Sequence, residues 1–305
     1  MPLVIKKDQI DNFVKELKEK HTIVDARKSK NLVPLLKEVL YPAKEDIFKL
    51  TKKTGEIKSI DNSKELIIFG LVPADLRAIK QLDEIMQKPE PDFFYWQKRN
   101  KVIFIGLSNY SLDYNVDADI VFEKINSRQY KVLVTTDKGK KIKSKLFKKL
   151  KRPKIKEYSH KNVPLEEMVL DSELLSKVVK WSYKHPIWDE LDKKCLGCGN
   201  CTYVCPLCYC FSTEDRVSLN GEECTRCRLW DSCTLPDFAR VAGDHDFHKG
   251  VKNRYYNWFY HKFVRGYKEY GKSLCVACHR CQEACPAGID IEKVLLKLIS
   301  DYIKG

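Results

Sequence analysis

The 305-residue sequence contains no apolar run long enough to cross a membrane and no motif for binding a nucleotide. A membrane-spanning helix needs roughly 18 or more consecutive apolar residues, and the amino-terminal MPLVIKKDQI lacks the apolar core of a signal peptide. There is also no G-x-G-x-x-G fingerprint, no P-loop and no recognisable Ser/His/Asp set. We therefore expect a cytoplasmic protein with no integral membrane span and no catalytic constellation of its own.

Cysteine is absent from the first 194 residues, because all thirteen cysteines lie between positions 195 and 285. An odd number of tightly spaced cysteines, in a chain without a secretion signal, indicates reduced metal-binding thiols rather than a disulfide framework. The expected setting is a reducing compartment.

Eight of these cysteines form two copies of the pattern C-x2-C-x2-C-x3-C-P. This is the ligand pattern of bacterial two-cluster ferredoxins, in which three cysteines of one run and the fourth cysteine of the other hold each cluster. The first [4Fe–4S] cluster is predicted at Cys195, Cys198, Cys201 and Cys285. The second is predicted at Cys275, Cys278, Cys281 and Cys205. A pair of zinc sites or a disulfide framework is the less favoured alternative, and oxygen-sensitive clusters indicate an anaerobic setting.

The other five cysteines complete no motif: Cys208, Cys210, Cys224, Cys227 and Cys233. A C-x-C and a C-x2-C segment could together supply four soft ligands to a third iron–sulfur cluster or to zinc. Two alternatives stay open, namely buried inert thiols and a reactive thiol that handles substrate.

Basic residues give the chain a net charge of +14, and residues 138–156 contain no acidic side chain. The ordinary interpretation of such a stretch is a solvated surface. The alternative interpretation is a docking surface for an acidic partner chain, since complementary charges speed the association of two proteins. Nucleic acid is not expected as a partner, because no reading motif accompanies the charge and the cysteines lack zinc-finger spacing.

The apolar patterning predicts an α+β fold that begins with an α/β scaffold or docking domain at residues 1–155. Helical periodicity predicts a helix over residues 7–20 and a second helix over residues 75–86, with Asp75 as its N-cap. Three apolar runs rich in β-branched residues predict buried strands: 65–71, 101–107 and 130–136.

Residues 156–305 are expected to form an α-helical, ferredoxin-like dicluster domain. Helical periodicity extends over residues 246–270, where Phe247, Tyr255 and Trp258 belong to an aromatic stripe, and again over residues 290–302. We expect the aromatic stripe to form core around the clusters and to shield them from water.

Several segments of the second half match the pattern of a known family: 188–211, 226–233, 261–263 and 275–291. The chain resembles the iron–sulfur β subunit of cytosolic nickel–iron hydrogenases (sulfhydrogenases) and the related A subunit of anaerobic sulfite reductase. In the first half, FGLVPADLRAIKQLD at residues 69–83 resembles a family segment of the form F-G-x-R-P-C-D-L-R-A-I-x-x-L-D.

The resemblance implies an α-helical ferredoxin domain with two [4Fe–4S] clusters. It also implies a relay of electrons between a flavin-bearing nucleotide-binding subunit and a subunit that holds the catalytic metal or the next clusters. Within this family Cys208, Cys210 and Cys233 are further matching positions with no assigned role.

The sequence departs from the family pattern at two places. Ala74 replaces the usual cysteine and Val72 an arginine of the first-half segment, while residues 108–116 replace a segment that commonly carries cysteines. A redox role for the first domain is therefore not expected. Cys224 and Cys227 are additional to the pattern, which favours an extra metal site.

The leading hypothesis is an electron-transfer subunit of a multi-subunit oxidoreductase of the nickel–iron hydrogenase or sulfur reductase type. One alternative is a subunit of an anaerobic sulfite or heterodisulfide-type reductase. A further alternative makes this chain itself reduce sulfur or a disulfide, and a third treats it as a free-standing carrier, which the large first domain disfavours.

Overall fold

The computed structural model describes residues 2–112, 117–150 and 164–305. The strands are β1 (Leu3–Lys6), β2 (Ile23–Asp25), β3 (Lys44–Thr51), β4 (Glu56–Ser59), β5 (Leu66–Leu71), β6 (Val102–Ser108), β7 (Ile120–Asn126), β8 (Gln129–Val134), β9 (Lys148–Lys149), β10 (Phe211–Val217), β11 (Glu223–Trp230), β12 (Arg240–Val241) and β13 (His245–Asp246).

The α-helices are α1 (Ile10–Lys18), α2 (Leu35–Leu40), α3 (Pro73–Ile85), α4 (Phe93–Lys101), α5 (Asp137–Lys141), α6 (Pro164–Leu170), α7 (Ser172–Trp181), α8 (Ile187–Asp192), α9 (Asn200–Tyr203), α10 (Val251–Phe259), α11 (Gly266–Tyr270), α12 (Arg280–Glu283) and α13 (Ile291–Lys304). Short 3-10 turns cover Lys7–Gln9, Ala26–Lys28 and Ser182–Lys184, and a π-helical segment covers Tyr260–Arg265. The predicted α+β class is confirmed.

The chain divides into two compact units. The first comprises Met1–Asn31 and Ser63–Lys161, and the second comprises Leu32–Asn62 and Asn162–Gly305. We expected two domains that divide at residue 155. The observed units differ from this in that residues 32–62 group with the carboxyl-terminal part of the chain. The reason is strand pairing, because β3 lies between β4 and β11 in one antiparallel sheet.

The first unit contains a seven-stranded sheet in the order β2-β5-β6-β7-β8-β1-β9. Its four strands from β2 to β7 are parallel, and the remaining pairs are antiparallel. The predicted strands correspond to β5, β6 and β8. The nearly continuous burial of β5 and β6 fits parallel strands covered on both faces, whereas the antiparallel β8 buries only alternate residues. Helix α1 buries Ile10, Phe13, Val14 and Leu17, as its periodicity predicts.

Helix α3 begins earlier than predicted, and Asp75 does not cap it. Pro73 occupies the first turn and Val72 is the N-cap residue, with no side-chain hydrogen bond. Proline starts a helix readily because its φ is already helical and it has no N–H to leave unpaired. Asp75 therefore lies in the first turn, where a carboxylate favours the positive end of the helix dipole.

The second unit is helical around the cysteine runs, but it is not helical throughout. It also contains a four-stranded antiparallel sheet in the order β10-β11-β3-β4. Its helices bury one apolar cluster that includes Trp188, Trp258, Phe259 and Leu295. The sequence analysis missed this sheet because its strands are mostly polar and exposed, most clearly β10, of which every residue is exposed.

The long aromatic helix is shorter at its amino end than predicted and contains a π-helical turn. Gly250 is its N-cap residue, so Phe247 lies outside it and is 65% exposed. Tyr255 and Trp258 are buried as expected. Helix α13 follows its predicted position, and Asp290 caps it by accepting hydrogen bonds from the N–H groups of Glu292 and Lys293. No helix of the described ranges is long and apolar enough to span a membrane.

We predict that the Arg228→Ala substitution strongly destabilises the four-stranded sheet. Arg228 on β11 pairs with Glu45 on β3 at 2.8 Å, and both side chains are almost fully buried. Removing one partner leaves an uncompensated buried charge, which typically costs about 3–5 kcal/mol. The measurement is the urea midpoint followed by tryptophan fluorescence. Arg226→Ala is the matched control, because Arg226 pairs with Asp215 across a half-exposed surface; an equal loss in both variants would contradict the prediction.

Candidate metal centres

The two cysteine runs adopt the same local backbone. Gly197 and Gly199 have φ values of 62° and 82°, and the corresponding Ala277 and His279 have φ values of 52° and 58°. Short helices follow in both runs, α9 in the first and α12 in the second. A left-handed φ is unfavourable for a residue with a Cβ, so its repetition at Ala277 and His279 shows that both runs are shaped by the same constraint.

The first cavity lies at the first cysteine run and has an empty volume of about 470 Å³. Three cysteines of the first run line it, and Cys285 of the second run lines it too. The lining cysteines are Cys195, Cys198, Cys201, Cys281 and Cys285. Tyr255, Trp258 and Ile291 complete a largely apolar wall.

The second cavity lies at the second run and has an empty volume of about 350 Å³. Its lining cysteines are Cys205, Cys275, Cys278 and Cys281. The structure thus groups the eight cysteines as the ferredoxin pairing rule groups them, with Cys281 also reaching the first cavity. That these residues bind clusters stays a prediction.

The donor set of both cavities fits an iron–sulfur cluster. The cysteines of the chain are free thiols, and thiolates are the ligands that such clusters use. Burial raises the pKa of Cys201 to about 12 and the pKa of Cys275 to about 11. These thiols would therefore be protonated without metal, and cluster binding would release their protons.

Backbone N–H groups point at the sulfurs of predicted ligands in both runs. The N–H of Gly197 donates to Sγ of Cys195 at 3.4 Å, and the N–H of Ile289 donates to Sγ of Cys285 at 3.3 Å. The N–H of Ala277 plays the same part toward Cys275. Such bonds stabilise the thiolate and are one of the influences on a cluster's potential.

Cys205, in the second cavity, carries charged and polar partners that sequence reasoning missed. Lys262 Nζ lies 3.1 Å from its Sγ. A hydrogen bond from Cys208, together with the charges of Lys262 and Lys37, holds the pKa of Cys205 well below its ordinary value. Desolvation lowers the pKa of Lys262, but the nearby thiolates outweigh it, and that pKa lies well above its ordinary value.

Lys37 is the second buried lysine of this region. Its Nζ donates to the carbonyl oxygens of Thr202 and Tyr203 at 2.9 and 3.1 Å, and it lies 4.4 Å from the centre of the Trp230 ring. Desolvation lowers its pKa. Lys37 lies in no sequence motif. Lys262 lies in segment 261–263, which matches the family pattern, and in an aromatic stretch, but neither signal predicted its contact with Cys205.

Three of the five remaining cysteines form hydrogen-bonded cysteine pairs, one of which includes Cys205 of the second cavity. Cys208 hydrogen-bonds Cys205, and Cys210 hydrogen-bonds Cys233. The bond to Cys233 lowers the pKa of Cys210, while the pKa of Cys233 is raised by the same bond and by burial. The sulfurs are therefore arranged as two adjacent pairs.

Cys224 and Cys227 both lie on β11 and make different contacts. Cys227 donates from Sγ to a carboxylate oxygen of Asp46 at 2.7 Å and accepts from Arg216 at 2.9 Å. Cys224 lies opposite Leu50 of β3. Within the described ranges no group of three or more His, Cys, Asp or Glu side chains is placed to hold a metal ion, and a third metal site stays a prediction.

Comparison with known proteins finds a similarity in the cysteine region. Residues 194–289 match the model of the 4Fe–4S dicluster domain. The whole chain is similar to sulfhydrogenase 2 subunit beta of Pyrococcus furiosus, with 28% identity over 287 residues that cover 88% of this chain and 83% of the relative. No solved structure matches. The resemblance to iron–sulfur β subunits of sulfhydrogenases is confirmed.

We predict that Cys198→Ser removes the cluster of the first cavity and leaves that of the second. The loss follows because Cys198 lines the first cavity and not the second. Iron per chain should fall by about half from the value of about eight for two [4Fe–4S] clusters, and one electron paramagnetic resonance (EPR) signal should persist. Cys224→Ser is the control and should keep the EPR signals of both clusters, because Cys224 lines neither cavity. Unaltered spectra in Cys198→Ser would contradict the ligand assignment.

Proposed function

We propose that this chain is the electron-transfer subunit of a multi-subunit cytoplasmic oxidoreductase of the sulfhydrogenase type. It would hold two [4Fe–4S] clusters and relay electrons between a flavin-bearing nucleotide-binding subunit and a catalytic nickel–iron or cluster-bearing subunit. The observation that carries the proposal is the pair of cavities, each lined by three cysteines of one run together with the fourth cysteine of the other, Cys285 in the first cavity and Cys205 in the second.

A [4Fe–4S] cluster, when bound, supplies one-electron transfer. The chain's own residues would provide the sulfur ligands and a largely apolar wall. Tyr255 and Trp258 are 5% and 2% exposed and shield one side of the first cavity from water, while Cys198 is exposed. Cys281 lines both cavities, which puts two electron-carrying sites next to each other, as a relay requires.

The partners follow from the similarity to a protein named as one subunit of a sulfhydrogenase. Substrate chemistry is accordingly assigned to other subunits, and the basic surface of the first unit is the candidate docking region. Residues 151–156 of the predicted basic stretch lie outside the described residues. Lys138 has an internal role, because its Nζ donates to the carbonyl oxygens of Arg99 and Val102 at 3.2 and 2.8 Å.

We predict that the native assembly, purified anaerobically through this chain, contains nickel beside abundant iron. Nickel is expected because the proposed catalytic partner is a nickel–iron subunit. The measurement is elemental analysis of the intact complex. Iron without nickel would contradict the hydrogenase assignment and would favour a sulfite or heterodisulfide-type reductase, whereas a chain that purifies as a monomer would contradict the subunit role.

We further predict that charge reversal on the basic stretch weakens assembly. Lys141, Lys143 and Lys145 are exposed, and their simultaneous replacement by Glu should repel an acidic partner. The effect should be larger at low salt, since salt screens charges separated by more than about 10 Å at 0.1 M. The measurement is the fraction of chain that co-purifies with the complex.

The matched control reverses the same number of charges elsewhere on the first unit. Lys15, Lys18 and Lys20 are exposed at helix α1 and just beyond it. This triple Glu variant should assemble normally. If both variants assemble equally well at low salt, residues 138–156 are a solvated surface and not a docking surface.

A further inference from the structure

Lys262 is a buried lysine whose ammonium group lies at the second cavity. Its side chain is among the residues that line this cavity, and the residue is only 5% exposed. The ammonium Nζ donates to Sγ of Cys205 at 3.1 Å and to the carbonyl oxygen of Leu274 at 3.1 Å. Segment 261–263 matches the family pattern, but neither that pattern nor the pairing of cysteines assigns a role to Lys262.

The π-helical segment Tyr260–Arg265 fixes this position. Three consecutive residues, Lys262, Phe263 and Val264, are buried in it, whereas an α-helix at a core normally buries residues three and four apart. The carbonyl of Lys262 accepts a hydrogen bond from the N–H of Leu274 at 2.8 Å. Main chain and side chain of Lys262 are thus both bonded to Leu274, the residue that precedes Cys275.

Gly266 allows this close contact. A Cβ at this position would stand 2.7 Å from Cγ of Leu274 and 3.2 Å from its backbone N. The close contact with Leu274 therefore depends on the glycine at position 266 as well as on the hydrogen bonds of Lys262. A π-helical turn inside an α-helix frequently marks a functional position, and here it directs the ammonium group to a ligand sulfur.

The charge of Lys262 requires a negative partner. A buried ammonium group without one is strongly destabilising, and the carbonyl of Leu274 is neutral. The partner at hydrogen-bond distance is Cys205, whose sulfur carries negative charge when it is a metal ligand. The thiol of Cys208 also hydrogen-bonds this sulfur, so two donors converge on one ligand of the second site.

We propose that Lys262 raises the reduction potential of the second site above that of the first, so that the transferred electron is held preferentially at the second site. Hydrogen bonds to the sulfurs and the net charge around a cluster set its potential, and a positive charge stabilises the reduced form, which carries one more electron. Lys262 would act by placing its positive charge beside Cys205, not by binding the cluster itself. This inference rests on the proposed function.

The comparison of the two sites supports this asymmetry. Both runs share neutral backbone donors, from Gly197 to Cys195 and from Ala277 to Cys275. To this common pattern Lys262 adds a full positive charge in direct contact with the second site. The first site also has a buried positive charge nearby, because the charge of Arg254 acts on Cys195. However, Nε of Arg254 donates to the carbonyl oxygen of Thr234 at 3.1 Å, whereas Lys262 donates directly to a cysteine sulfur.

The test is a redox titration of the anaerobically purified complex, followed by EPR, with Lys262→Met in place of the native residue. Methionine fills the same space without the charge. At a fixed potential, the ratio of reduced to oxidised second cluster should fall at least tenfold, which corresponds to 59 mV for a one-electron couple. The first cluster should shift less. The Cys198→Ser chain identifies which signal belongs to the second site.

Lys37→Met is the matched control, because Lys37 is equally buried but is bonded to carbonyl oxygens. It should move the second potential less than Lys262→Met does. Equal shifts in both variants would overturn the specific role of the Lys262–Cys205 bond. So would unshifted potentials in a Lys262→Met chain that retains its full iron content.

Two further variants keep the inference testable if Lys262→Met loses iron. Lys262→Arg preserves the charge and should leave the potential near its native value, while Lys262→Gln preserves a donor only and should lower it. If every neutral variant loses the second cluster and Lys262→Arg keeps it, Lys262 holds the cluster together and the tuning role is overturned. Absence of two cluster signals in the native chain counts against the proposed function itself.

Discussion

Each candidate cluster site depends on a cysteine that comes from the other cysteine run. Cys205 lines the second cavity and Cys285 lines the first, although 69 residues separate the runs, from 206 to 274. Neither site can form unless the two runs lie side by side. The side-chain amide of Asn200, which donates to the carbonyl oxygen of Ala284 at 3.4 Å, ties them directly, and the rest of the second unit serves the same purpose.

The long insert between the runs supplies that constraint. Its β10–β11 hairpin pairs with β3, and its aromatic helix buries Tyr255, Trp258 and Phe263 in the same core as Leu295 of α13. Here the sheet and the helical core fix the geometry, so the protein can place further polar groups, such as Lys262, against the sulfurs.

Sequence patterns predicted the features that depend on residues close together in the chain, namely the spacing of cysteines and the periodicity of apolar residues. The cysteine spacing gave the grouping of eight thiols, and apolar periodicity gave α1, β5, β6, β8 and α13. The four-stranded sheet was missed because it joins residues 44–59 to residues 211–230, and the pairing of polar strands leaves no periodic signal. The N-cap of α3 was misplaced because Pro73 competes with Asp75 for the helix start.

The buried lysines show why the chemistry around a ligand is harder to predict than the ligand itself. A ligand set follows from residue type and spacing, whereas Lys262 reaches Cys205 only because a π-helical turn shifts it toward the core. The same turn exposes its carbonyl to Leu274, so the position of one ammonium group depends on the backbone of two segments. Under the proposed relay, a difference in potential between the two sites gives the electron a preferred site. The duplicated cysteine runs give both sites the same backbone, so such a difference depends on the surrounding side chains. These are Lys262, outside the duplication, and His279, which lines the second cavity and stands where the first run has Gly199.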